Sequence, residues 1–374
     1  MGAGGGTWVF PFRPGQGGTV IPTLALTPAD RVLVLVAHPD DESVAAGGLL
    51  QHALETGARI LVVFFTDGDN NPWAQRASEL RWRIGAVERT RFGVRRRGEV
   101  GRALEKLGVA PSSMRFLGFP DQGATDLLLR ANEFALRALS EVLREFRPTV
   151  AVVPSLLDLH PDHSAVAVLA ILAFDTLGGA NAPRIRLRYL VHNPRLLHRN
   201  EGSLVLQLSD QQRAHKRAAI TCHRTQLVLR SSWLLSFARS EERFYLAESP
   251  TGIAEHPVGG ALRTGESVCI PLASHTRLRA FGARTLCLAA QPPSCAVRLA
   301  VDVPARGGSA PVRDLLSGTV VAEAGFRGER GTGELLLPAA LIPPGVRLFA
   351  KVERRVGFFD EAGWKELPGL SAGL

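Results

Sequence analysis

The 374-residue chain has few cysteines, and its four (Cys222, Cys269, Cys287 and Cys295) form no C-x-x-C pair. This speaks against a Cys-rich metal site and leaves free buried thiols in a reduced cytoplasm as the expected state. No apolar run approaches the ~20 residues that a membrane helix needs. The N-terminus, MGAGGGTWVFPFRPGQGG, lacks a basic start followed by an apolar stretch, so no standard secretory signal is expected. Gly6 stands where a myristoylation signal wants Ser or Thr. Acidic residues are in deficit: 35 Asp and Glu against 44 Lys and Arg give a net charge of +9. The arginines cluster between Arg76 and Arg102, but few aromatics are interleaved among them for base stacking. A solvated helix face is therefore expected there and a nucleic-acid partner is not, although such a cluster also suits an anionic substrate.

What is present describes a globular chain. Hydrophobic residues make up 45% and charged residues 21%, which allows a buried core, and the length suits one large or two modest domains. Residues 31–37 (RVLVLVA), 59–66 (RILVVFFT) and 149–154 (TVAVVP) are apolar, β-branched runs of the buried parallel type, with further strands expected at 114–117 and 185–191. Helices are predicted over 43–57, over 76–107 with a break near Gly93, and over 127–146, 163–176 and 209–226. This alternation predicts an α/β fold: a Rossmann-like, doubly wound, mostly parallel sheet covered on both faces. After about residue 248 Pro and Gly become frequent and short apolar segments recur (267–272, 285–289, 296–303, 318–325, 334–340, 346–352). They predict a second, smaller, mostly β domain at the C-terminus. The expected division is an N-terminal extension 1–28, an α/β domain 29–248 and a β-rich domain 249–374.

Two short clusters carry chemistry. Ala37-His38-Pro39-Asp40-Asp41-Glu42 follows the first strand, and Asp158-Leu159-His160-Pro161-Asp162-His163 follows the strand at 149–154. In doubly wound sheets ligands bind at the carboxyl ends of strands, and these two strands are expected to be neighbours, so the clusters should face one another. His supplies nitrogen and Asp oxygen, a set suited to zinc. Pro39 biases His38 towards an extended conformation, so that His38 and Asp41 can converge while Asp40 points elsewhere. The plainer account of one His-Pro-Asp is a turn with a capping carboxylate: Asp41 or Ser43 at the first helix, Asp162 at the other. Two near-copies, each directly after a buried strand, are hard to attribute to capping alone.

A-H-P-D-D-E with H-P-D-H downstream resembles the PIG-L or LmbE-like family of zinc-dependent N-acetylglucosaminyl deacetylases. The likeness extends to Thr66-Asp67-Gly68-Asp69, Arg96-Arg97-Gly98-Glu99, the loop Leu117 to Gly123, and KRAAITCHRTQ from Lys216 to Gln226, roughly residues 30–230 in all. It implies hydrolysis of an N-acyl amide, in first place N-acetyl, on an amino-sugar or sugar conjugate. Zinc is the implied cofactor, with another divalent ion such as Fe2+ as the alternative. Position by position it implies His38, Asp41 and His163 as metal ligands, Asp40 as general base, and His160 as the residue that stabilises the oxyanion or protonates the leaving amine. Arg97 (or Arg96) with Asp67 is expected on the substrate side. The chemistry agrees, because amides resist water, and a metal with three protein ligands keeps an open position where bound water reaches a pKa of about 7. A neighbouring carboxylate can then take its proton.

Rival readings are an amidase or deacylase of a non-sugar metabolite and a non-catalytic glycan- or anion-binding module. Asp158 or Asp162 is a candidate to orient a histidine. Glu42 is open between that role and a helical first turn, and His223 and Gln226 between site and packing. His52, His192, His198, His215, His256 and His275 lack partner spacing and read as structural or solvated. The run Ser155 to Leu159 is apolar and short where family members often carry an aromatic or Gly-rich loop, so a different pocket is expected. Trp364 and Phe358-Phe359 read as core, and the β-rich domain as structural or assembly-forming rather than as a carbohydrate binder or a cover for the cleft. The expected partner is a small N-acylated molecule, and a homo-oligomer is allowed.

Overall fold

The computed structural model describes residues 24–130, 132–178, 181–197, 203–246, 256–273, 284–290, 296–329, 332–354 and 357–367. Most of the expected extension, the stretch 247–255 at the expected boundary, His198, His275 and Cys295 lie outside them.

Two sheets organise the chain. The first contains β1 (Arg31–Val36), β2 (Arg59–Thr66), β3 (Met114–Phe119), β4 (Val150–Pro154), β5 (Ile185–Tyr189), β6 (Ser203–Gln207) and β7 (Glu241–Tyr245), in the spatial order β3-β2-β1-β4-β5-β7-β6. The first five in that order are parallel; β7 and β6 form an antiparallel edge. The helices are α1 (Asp41–Glu55), α2 (Pro72–Glu79), α3 (Ala86–Lys106), α4 (Ala124–Arg130), α5 (Asn132–Phe146), α6 (Pro161–Leu177), α7 (Asp210–Cys222) and α8 (Arg224–Leu235). Val32, Val34 and Val36 enter a core shared with α1, α3 and α7, whereas Leu33 and Leu35 enter one shared with α4, α5 and α6. With both faces covered, β1 needs apolar residues at every position, which is why its run does not alternate.

The Arg-rich helix breaks between α2 and α3, not near Gly93. Leu80 ends α2 in a left-handed conformation (φ 52°). Gly93 sits within α3, where the missing side chain lets the helix close on Asp69, 3.1 Å from where a Cβ would lie. The edge strands β6 and β7 and helix α8 were not expected.

The second sheet is antiparallel, in the order β16-β15-β10-β11-β12-β13-β14-β9-β8. Its strands are β8 (Leu262–Thr264), β9 (Ser267–Leu272), β10 (Arg284–Ala290), β11 (Val297–Val303), β12 (Arg306–Asp314), β13 (Val320–Glu329), β14 (Thr332–Pro338), β15 (Leu348–Arg354) and β16 (Lys365–Leu367). Cys287 and Ala289 of β10, Phe349 of β15 and Trp364 join the core of α4, α5 and α6. Helix α6 is consequently buried from Asp162 to Phe174 and carries no polar stripe, since one side covers the first sheet and the other meets the second. Among the described residues no helix is long and apolar enough to cross a membrane.

Candidate metal centre

β1 and β4 are hydrogen-bonded neighbours, with Val34 opposite Val152, so the two motif loops leave the sheet side by side. Asp41 opens α1 and His163 lies in the first turn of α6. The backbone N–H of His38 donates to Asp41 Oδ2 at 2.9 Å. His38 Nδ1 lies 3.3 Å from His163 Nε2 and 3.7 Å from Asp41 Oδ2, and His163 Nε2 lies 3.2 Å from Asp41 Oδ2. Ligands about 2.0–2.1 Å from a tetrahedral ion are separated by roughly 3.3 Å, so the three atoms fit one small cation.

The outer nitrogens face carboxylates. His38 Nε2 lies 3.1 Å from both Asp121 Oδ1 and Asp162 Oδ2, and His163 Nδ1 lies 3.3 Å from Asp158 Oδ2. With each outer nitrogen protonated towards its carboxylate, the inner nitrogens and Asp41 present lone pairs to one point, which a bound cation, or a second proton on His163, relieves. Burial disfavours a charged His163, but Asp41 and Asp158 on either side outweigh it and raise the ring to about 10. Other donor groups overlap this one: His38–His160–His163, Asp158–His163–His192 and His38–Asp121–Asp162 each have atoms within 4.8 Å of one another. The last two rely on outer nitrogens already engaged by carboxylates.

Asp40 caps α1 with φ 126°, a strained backbone for a residue with a side chain. Burial raises its carboxyl to about 6, against the pull of Arg96, whose Nη2 is 3.5 Å away. Arg96 is buried; it donates to Pro39 O and, at 2.8 Å, to Gly68 O. Gly68 has φ 62°, and a Cβ there would lie 2.0 Å from Arg96 Nη1, so this turn favours glycine, and any side chain would displace the guanidinium. Glu42 accepts from the Asp40 N–H at 2.9 Å and pairs with His223 at 2.8 Å, bracing the same loop.

His160 Nδ1 accepts from the Asp162 N–H at 3.2 Å, which leaves its own proton on Nε2. Burial, and then the neighbouring rings of His38, His163 and His192, hold His160 well below its ordinary value, so it is neutral.

Arg97 and Asp67 do not line the cavity, contrary to expectation. They form a two-pronged ion pair with each other at 2.9 and 2.6 Å, with the guanidinium 4.6 Å from the centre of the Phe116 ring. Arg96 lines the cavity instead. Helical spacing explains the register: Arg96 and Glu99, three residues apart, face inward together, and Glu99 accepts from Thr225 N–H and Oγ1–H at 3.0 and 2.6 Å at the start of α8.

The cavity is about 350 Å³. Its inner wall carries His38, Asp40, Asp41, Arg96, Asp121 and His160; its outer wall carries Pro72, Trp73, Leu229, Trp233, Phe358 and Phe359. Gln226 also lines it. His192, expected to be structural or solvated, stands in this wall 3.5 Å from Asp158, with its ring 5.4 Å from that of Trp233 and 5.6 Å from that of Phe359. Phe358 and Phe359 are not core either: they are 46% and 41% exposed and reach the cavity from between β15 and β16. Trp364 is fully buried, as expected.

Residues 33–174, which include both motifs, match the family described as PIG-L, GlcNAc-PI de-N-acetylase. The chain contains a PIG-L family domain. The chain is similar to the 1D-myo-inositol 2-acetamido-2-deoxy-alpha-D-glucopyranoside deacetylase of Streptomyces griseus subsp. griseus, at 33% identity over 175 residues that cover 42% of this chain and 53% of that protein. It is likewise similar to the deacetylase of the same name from Thermomonospora curvata, at 29% identity over 248 residues that cover 54% and 82%. The chain spans about half the length of the first curated relatives it matches. Among solved structures, the N,N'-diacetylchitobiose deacetylase from Pyrococcus horikoshii aligns with a TM-score of 0.46 and 19% identity over 60% of this chain and 88% of that one. The second sheet lies outside the PIG-L match.

Proposed function

We propose that this chain hydrolyses the N-acetyl amide of an amino-sugar or sugar conjugate, releasing acetate and a free amine, with zinc held by His38, Asp41 and His163. The convergence of these three donors to within 3.2–3.7 Å of one another, beside an unligated carboxylate and a neutral imidazole, carries the reading. Bound there, zinc would polarise the amide carbonyl and acidify water.

The chain's own residues handle the protons. Asp40, at about 6, is mostly ionised at neutral pH yet basic enough to take a proton from the attacking water. The water oxygen bonds to the carbonyl carbon, and His160 Nε2–H donates to the carbonyl oxygen as negative charge builds on it. The proton held by Asp40 passes to the nitrogen as the C–N bond breaks. Arg96 fixes Asp40 at the pocket edge. The names of the relatives favour an amino-sugar over a non-sugar metabolite. The β3-β2-β1-β4-β5 order supports a Rossmann-like, doubly wound description, and the two sheets support a division into domains 29–248 and 249–374.

The test is acetate release from N-acetylglucosaminyl-inositol and simpler N-acetylglucosaminides. Release should stop on chelation and return with zinc, and Asp40→Asn should lower kcat about 10²–10⁴-fold with bound zinc unchanged. No release from any N-acetyl sugar by metal-loaded protein, or release that survives chelation, would overturn the proposal.

A further inference from the structure

The segment 357–364 of the second sheet is clamped onto the loop that carries the H-P-D-H motif. The Asp360 N–H donates to Leu159 O at 2.9 Å. The Asp360 carboxylate lies 2.8 Å from the ammonium of fully buried Lys351, on β15. Gly363 packs so closely that a Cβ there would lie 1.8 Å from Leu156 O, and His256 Nε2 lies 3.1 Å from Gly363 O. This anchoring holds two large apolar rings in the open: Phe358 is centred 4.9 Å and Phe359 5.9 Å from the His160 ring. Trp233 and Leu229 of α8 continue the wall, and Arg230 lays its guanidinium 5.7 Å from the Trp233 ring and 6.0 Å from the Phe359 ring. The cavity is thus charged around the reacting centre and aromatic beyond it, and a substrate that fills it carries the same polarity.

We infer that Phe358 and Phe359 form a specificity wall for an apolar aglycone, so that the favoured substrates are N-acetylated amino-sugars bearing an aryl or alkyl group. The inference rests on the deacetylase reading. An acetyl group has two carbons, too few to cover this wall, which places the apolar portion on the sugar's other substituent. Burying it there removes apolar surface from water on both partners.

Initial rates are measured on methyl, phenyl and octyl glycosides of N-acetylglucosamine and on the methyl glycoside of N-octanoylglucosamine, using the wild type, Phe359→Ala and the double variant Phe358→Ala/Phe359→Ala. Thermal melts confirm that each variant is folded. Binding of the corresponding free-amine methyl and phenyl glycosides is measured alongside by calorimetry. The wild type should prefer phenyl or octyl over methyl about tenfold in kcat/KM, mainly through KM, and bind the phenyl amine about tenfold more tightly. Both ratios should shrink at least about fivefold in the double variant and less in the single one. Ratios near one in the wild type, ratios unchanged in the variants, or a preference that follows the octanoyl group would overturn the inference while turnover of the methyl glycoside upholds the deacetylase reading. Discriminating binding with no turnover of any glycoside would overturn the deacetylase reading and leave the aromatic wall standing.

Discussion

Asp158 shows how much of the centre rests on residues that are not proposed ligands. Burial alone would raise its carboxyl, yet His163 and His192 hold it well below the usual carboxylate range. It also accepts from the backbone N–H groups of Val191 and His192 at 2.9 and 3.2 Å, tying the loop after β5 to the proposed metal site. Asp158→Asn should therefore weaken zinc affinity about 10–100-fold, read by competition with a chromophoric chelator. Unchanged affinity would remove Asp158 from any role in orienting His163. At this scale the sequence was most legible where chemistry is local: His38, Asp40 and Asp41 share one short motif, and His160 and His163 share another. The choice between Arg96 and Arg97 was not legible, because adjacent residues on a helix face different ways and only the packing of α3 says which way is inward.

Among the elements, α3 supports the site without contributing a proposed ligand. Its Arg96 reaches Gly68 in the turn after β2, where the backbone is left-handed. Gly68→Ala should cost about 1–3 kcal/mol in urea unfolding and lower activity, because Arg96 must move and release Asp40. Gly98→Ala, exposed in the middle of the same helix, should instead stabilise by about 0.5–1 kcal/mol. If both substitutions behaved alike, Gly68 would have no special place in the turn. The parallel strands β1, β2 and β4 were readable because burial on both faces writes an unbroken apolar run. β12 was not, because its first four residues, Arg306-Gly-Gly-Ser309, are exposed and carry no period-two pattern.

For the molecule as a whole, the two sheets share a core around α6. Removing residues 249–374 would uncover the side of α6 that meets Cys287, Ala289, Phe349 and Trp364. Such a truncation should aggregate or bind a hydrophobic dye, and lose activity; a folded, fully active fragment would contradict the shared core. Acid should loosen the same junction through His256. Its Nδ1 accepts from the Val258 N–H at 3.1 Å, and burial lowers its pKa from 6.5 to about 4. The unfolded chain therefore takes up this proton first, so the contribution is complete above pH 6.5 and is lost as pH falls towards 4. The loss should amount to roughly 2 kcal/mol by pH 5, and His256→Gln should flatten that part of the stability profile, read by urea unfolding at several pH values. The sequence by itself determined the alternating α/β pattern, the short strands that follow it and the two clusters at strand ends, because hydrophobic period and motif are recorded within a few residues of one another. Only the tertiary structure decided that Asp121 and Asp162 share His38, that His192 enters the cavity wall and that two phenylalanines from the second sheet stand beside His160. Those contacts join distant stretches of chain, and they exist only once both sheets have packed against α6 and the loop before it.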